Sequence, residues 1–105
     1  MATYLPQPDI AGIGLRDVLR ALGDDVRLQI VTVLADGEYH SCRVEEFGID
    51  LHKSTLSHHF KVLRESGVTM TEQVGRNHQV RLRTEDLEAR FPGVLHSVTA
   101  ALRRE

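Results

Sequence analysis

Between His52 and Ser66 the chain carries serines, two adjacent histidines and a lysine at helical spacing. At 100° per residue Leu56, Phe60 and Leu63 share one face, while Ser54, Ser57, His58 and Lys61 project from the other. Short hydroxyls, an imidazole and an ammonium together donate and accept hydrogen bonds along a narrow strip. That is the chemistry of reading base edges in a DNA major groove about 12 Å wide. His59 falls beside the apolar stripe and is expected to be a packed, structural histidine. Because neighbours on a helix point to different faces, His58 and His59 do not jointly hold one metal. Catalysis finds no footing: there is no phosphate-cradling glycine loop, no nucleophile elbow and no His-Glu-x-x-His pair.

The charge distribution supports a polyanionic partner better than the total does. Thirteen Lys/Arg against fifteen Asp/Glu give −2 overall. From His52 to Arg83, however, six basic residues (Lys53, Lys61, Arg64, Arg76, Arg81, Arg83) meet only Glu65 and Glu72, so this segment carries +4 and the remainder −6. Charge segregated in this way can turn one face to a polyanion and keep the rest away from it, while charge alone equally allows a solvated basic face with no partner. With 105 residues, 41% hydrophobic and 27% charged, the composition is that of one folded domain. No apolar run reaches the roughly 18–20 residues of a membrane helix. Residues 1–14 lack the basic start and apolar stretch of a secretory leader, and Cys42 has no partner for an internal disulfide, so a cytoplasmic location is expected.

The elements that must present this helix follow from periodicity and punctuation. Residues 1–10 hold two prolines and no period, and are expected as a loose arm. Leu15, Val18, Leu19 and Leu22 form one helical stripe ended by Gly23. Asp24 or Asp25 caps a second helix with Val26, Ile30, Val33 and Leu34 inward, stopped at Gly37. Ser41 is the expected cap of a short third helix through Val44 and Phe47, with Gly48 turning the chain. Residues 70–83 read as a β-hairpin with its turn at Gly75-Arg76-Asn77, Val80 and Leu82 packing and Arg81 and Arg83 forming a cationic face. Thr84, Glu85 and Asp86 open a helix that Pro92-Gly93 interrupts, and Val94, Leu95, Val98, Ala101 and Leu102 make a last amphipathic segment.

Two helices joined by a tight turn (41–66) and followed by a hairpin wing (70–83) predict a winged helix-turn-helix, mainly α with a β-hairpin, in a single domain over 1–105. Lys53 opens the reading helix, and Lys61, Arg64 and Arg76 stand where phosphates would lie. A module this small reaches useful affinity most simply as a homodimer on an inverted repeat with half-sites roughly 10 bp apart. The apolar stripes at both chain ends, including the helices over 84–105, exceed the needs of a small core and are assigned to that dimer interface.

The stretches LRALGDDVRLQIVTVL, STLSHHFKVLRESGV and GRNHQVRL resemble the ArsR/SmtB family of bacterial winged-helix regulators over about residues 15–102. The resemblance implies a homodimeric transcription factor on double-stranded DNA whose affinity responds to a signal, usually repression released by a ligand. It places DNA reading at Ser54, Thr55, Ser57 and His58. His52 and Lys53 depart from the family's usual Ser-Gln, which weakens the helix cap, and Thr69, Met70, Gln73 and Val74 make a less basic wing. The rival reading is a metal-independent winged helix that works with a protein co-regulator, even as an activator; the −2 charge and neutral wing point that way.

The resemblance also implies sensor sites. Where soft-metal sensors of the family carry Cys-x-Cys on the third helix, this chain has His40-Ser41-Cys42. His40 and Cys42 would begin a nitrogen-and-sulfur site for Ni²⁺ or Zn²⁺. Two ligands are too few, and residues 1–20 add only Asp9 and Asp17, which disfavours a thiolate-rich arsenic or cadmium site. The alternative is a helix-start histidine beside a small buried thiol, or an oxidation-sensing Cys42 whose acidity Arg43 raises. The family's C-terminal site needs Asp-x-His and a later His pair. Here Asp86 and Glu88 begin it, His96 is out of phase by three residues, and positions 99 and 102 are Thr and Leu. Asp86, Glu88 and His96 are thus candidates for an unorthodox nickel or zinc site, with His96 otherwise an exposed or interfacial histidine.

Overall fold

In the computed structural model, which describes residues 3–105, the chain is mainly helical around one small antiparallel sheet. Helix α1 (Leu15–Leu22) buries Val18, Ala21 and Leu22, and α2 (Asp25–Leu34) buries Ile30, Val31 and Leu34. Asp24 is the N-cap of α2, its carboxylate accepting the Arg27 N–H at 3.0 Å. The stripe expected along α1 divides: Val18 and Leu22 enter the core, while Leu15 and Leu19 remain 42% and 50% exposed.

Strand β2 is His40–Ser41, so Ser41 lies in the sheet instead of capping a helix. The one-turn helix α3 (Val44–Phe47) starts after Arg43, with no side-chain cap. Helix α4 (Lys53–Glu65) follows, and Phe47 meets Phe60 edge-on with ring centroids 5.3 Å apart, locking α3 to α4. Beyond Ser66 the backbone closes α4 with two bonds, Gly67 N–H to the Arg64 carbonyl at 3.1 Å and Val68 N–H to the Leu63 carbonyl at 3.0 Å. This closure needs the left-handed φ of 88° at Gly67, where a Cβ would also stand 2.6 Å from Ile13. Only glycine fits there.

Strands β3 (Thr69–Val74) and β4 (Asn77–Leu82) form the hairpin, in register from Thr69 opposite Leu82 to Val74 opposite Asn77. The loop is two residues long, with positive φ at Gly75 and not at Arg76, the pattern of a II′ turn. Asn77, expected in the turn, already belongs to β4. The sheet has the order β1-β3-β4-β2, because residues expected as a loose arm are tied down. Thr3–Tyr4 is strand β1, with Thr3 opposite Gln73 and Tyr4 opposite Glu72, and the Leu5 N–H donates to the Thr71 carbonyl at 2.9 Å. Two prolines do not loosen a segment whose free N–H and C=O groups find a sheet edge.

Helices α5 (Thr84–Arg90) and α6 (Val94–Arg103) complete the chain, and α6 packs against α2. Leu87 and Leu95 enter the core with Ile13, Leu34, Leu56 and Leu63. Val94, Val98 and Leu102 remain half-buried. Among the described residues no helix is long and apolar enough to cross a membrane.

Candidate nucleic-acid interface

Burial of Leu56, Phe60 and Leu63 sets the rotation of α4 about its axis. The opposite face therefore holds Ser54, Thr55, Ser57, His58 and Lys61, all exposed. Its first turn has neither a side-chain cap nor an acid. His52 stands at the N-cap position without capping, as its residue type predicted, and Lys53 begins the helix.

Between α4, the wing and β2 lies a groove of about 640 Å³. Its lining includes Arg43, Lys53, Lys61, Arg64 and Arg76, with Ser57 among them and no carboxylate. A concave strip of one charge sign concentrates its potential toward an anion. Arg64 is half-buried at this groove, and Arg76 is exposed at the hairpin turn. Arg43 was not among the DNA-facing residues expected from the sequence. The signal was available, because Arg43 directly precedes α3 of the helix pair, but it lies upstream of the segment that carries the excess charge.

The expected cationic face over Arg81 and Arg83 is not there. Arg81 lies over the Tyr39 ring at 5.6 Å and pairs with Glu85 at 3.2 Å. Arg83 is 5% exposed, bound to the Asp86 carboxylate at 2.9 Å and to the Pro8 carbonyl at 2.7 Å. Strand alternation would put both on one face, but β4 ends at Leu82 and the turn into α5 carries Arg83 inward.

The candidate metal donors are placed but not gathered. His40 has Asp36 at 2.8 Å from Nε2 and Glu46 at 3.1 Å from Nδ1. Burial works against charge on this ring, yet the hydrogen bonds to Glu46 and Asp36 prevail and raise its pKa above the usual imidazole value. Burial pushes the Cys42 thiol up to about 11, against the field of Arg64, not of the adjacent Arg43. A thiol held protonated is a poor ligand and a poor nucleophile. Asp86 is bound to Arg83, and Glu88 accepts the backbone N–H groups of Gly93 (3.0 Å) and His96 (3.2 Å), capping α6. The His96 side chain is exposed. Asp36 and Glu46 lie on different nitrogens of His40, and among the described residues no three of His, Cys, Asp and Glu converge to hold an ion. Within the single chain, neither donor set fits a metal.

Residues 24–68, which span α2 to the end of α4, match the family model for bacterial regulatory proteins of the arsR family. An uncharacterized HTH-type transcriptional regulator of Bacillus subtilis is 35% identical over 82 residues, covering 77% of this chain and 82% of that protein. The arsenical resistance operon repressor of Staphylococcus xylosus is 34% identical over 74 residues, 70% of each chain. That of Staphylococcus aureus is 34% identical over 68 residues, 65% of this chain and 64% of the relative.

Proposed function

Given that the chain belongs to the arsR family of bacterial regulatory proteins, we propose that it is a repressor that binds double-stranded DNA as a homodimer on an inverted repeat. The observation that carries this reading is the carboxylate-free cationic groove beside the exposed polar face of α4. Ser54, Thr55, Ser57 and His58 read base edges, and Arg43, Lys53, Lys61, Arg64 and Arg76 hold phosphates. Repression as the direction of control follows the names of the staphylococcal relatives.

The dimer reading rests on apolar surface that one protomer leaves uncovered. Leu15 and Leu19 on α1 and Ile10 just before it are 40–50% exposed, beside a cleft lined by Val18, Leu22, Leu87, Phe91 and Val94. A second copy would cover them. In sedimentation, Leu15→Glu with Leu19→Glu is expected to yield folded monomer; an unchanged dimer would move the interface elsewhere.

Fluorescence anisotropy on the DNA upstream of the protein's own gene, over a range of salt, tests DNA binding directly. Each neutralised phosphate adds about −0.9 to the slope of log K against log salt, so cations from both protomers predict a steep slope. Weak binding with a flat slope would favour a winged helix that works through a protein co-regulator. Adding Ni²⁺ or Zn²⁺ to the same titration tests a metal response. Because the donors of one protomer do not converge, such a response would need ligands from both subunits.

A further inference from the structure

Arg27 joins three helices at one side chain. Its backbone N–H rests on Asp24 in the first turn of α2. Its guanidinium donates from Nε to the Ala21 carbonyl at 2.6 Å and from Nη2 to the Arg20 carbonyl at 3.4 Å, in the last turn of α1. Nη1 lies 3.1 Å from Nδ1 of His59 on α4. A guanidinium has donors only, so Nδ1 must accept and the ring proton sits on Nε2. The His59 side chain is 13% exposed. The groups facing it are Arg27 and Asp24 (3.8 Å) from α2, and the His58 ring from α4 at 5.9 Å between centroids; α1 offers Arg27 only carbonyls.

We propose that Arg27 is a positioning residue for the reading helix, and that its hydrogen bond to His59 makes the hold of α1 on α4 sensitive to protons. With Nδ1 unprotonated, α4 is tied to the end of α1. Protonation removes the acceptor and sets two cations against each other, so the helix carrying Ser57 and His58 is released. Burial holds the His59 ring below the usual imidazole range, against the pull of Asp24. The link is therefore closed at neutral pH and opens as pH falls below the usual imidazole range. The consequence for DNA rests on the reading of α4 given above.

The test compares wild type, His59→Asn and Arg27→Gln by anisotropy on the same duplex at pH 7.5 and at the lowest pH at which His59→Asn stays folded, at constant ionic strength. Asparagine offers an acceptor close to the Nδ1 position but does not titrate. Between the two pH values wild type should lose roughly tenfold more affinity than His59→Asn, whose own profile subtracts the other histidines. Arg27→Gln should bind more weakly at pH 7.5 and share the profile of His59→Asn. Without DNA, ¹H–¹⁵N spectra of wild type should show the Ala21 and Leu22 amides moving together with the His59 ring as pH falls, and staying still in His59→Asn. Matching profiles for wild type and His59→Asn, or α1 amides that do not follow His59, would overturn the proposal. If wild type binds no duplex at either pH, the DNA reading fails and the spectra alone decide the link. Should Arg27→Gln not fold, the comparison of wild type with His59→Asn remains decisive.

Discussion

Two groups of cations differ in what the fold sets beside them. Around the groove, Arg43, Lys53, Lys61, Arg64 and Arg76 meet no carboxylate along its lining. At the base of β4, Arg81 and Arg83 are paired with Glu85 and Asp86 from the first turn of α5. One set meets no acid along the groove, and the other joins the hairpin to the C-terminal helices. The lesson is that the sign of a segment's charge says little about its availability. Availability depends on which acids the fold brings within reach.

Arg83 should show the largest effect. Replacing it by alanine strips the partner from the half-exposed Asp86 and the donor from the partly buried Pro8 carbonyl, and empties a nearly buried site, which is expected to cost about 2 kcal/mol. A fall in Tm on the order of 10 °C is the measurement, with base selectivity of the folded protein unchanged. A Tm within a degree of wild type would break the division between the two groups of cations.

Ser57→Ala with His58→Ala should leave stability intact and remove discrimination between operator and scrambled duplex. A loss on the order of 2 kcal/mol in that difference is expected from competition anisotropy. Persistence of the preference would deny α4 its reading role. Lys61→Ala acts on another quantity: it weakens all duplexes alike, and the salt slope should become shallower by about 0.9 for each phosphate no longer neutralised. An effect confined to one sequence would place Lys61 among the base readers.

Arg81→Ala is expected to cost less than about 1 kcal/mol by urea unfolding, because its partner Glu85 is well exposed and such pairs are weak. His40 sharpens the contrast further, since its charge depends on pH. Its pKa is raised in the folded chain, so its stabilisation is full below the unfolded value near 6.5 and is lost as pH rises through the folded value. Urea midpoints of wild type and His40→Ala should therefore lie further apart at pH 6 than at pH 9. A constant gap would mean that Asp36 and Glu46 do not hold a charged ring.

Much of the exposed face of α4 was legible because it depends on local periodicity. Leu56, Phe60 and Leu63 recur at helical spacing, and their burial fixes where Ser57, His58 and Lys61 point. The hairpin was equally readable from Val80 and Leu82 around a glycine turn. What escaped depends on partners distant in sequence. Thr3 and Tyr4 carry no pattern of their own, and only an edge of β3, some seventy residues away, makes them a strand. Ser41 has the residue type of a cap, but pairing of His40 with Val80 and Ser41 with Gln79 claims it for the sheet. His59 was expected to be structural, while its partner Arg27 is 32 residues away and no spacing rule reveals it. The pairing of Arg81 with Glu85, by contrast, could have been suspected from their four-residue separation.

The strand order β1-β3-β4-β2 has one more consequence. A bare two-stranded wing would offer both outer edges as templates for another chain, and exposed strand edges invite intermolecular pairing. Here each edge is occupied by a two-residue strand, Thr3–Tyr4 against β3 and His40–Ser41 against β4. The hydrogen-bonding capacity left at the sheet's margins is only a few groups long. The hairpin runs past both guards at its base, around Met70 and Arg81, and at its tip, around Gly75-Arg76, and at each end the uncovered stretch of strand is too short to template pairing with another chain.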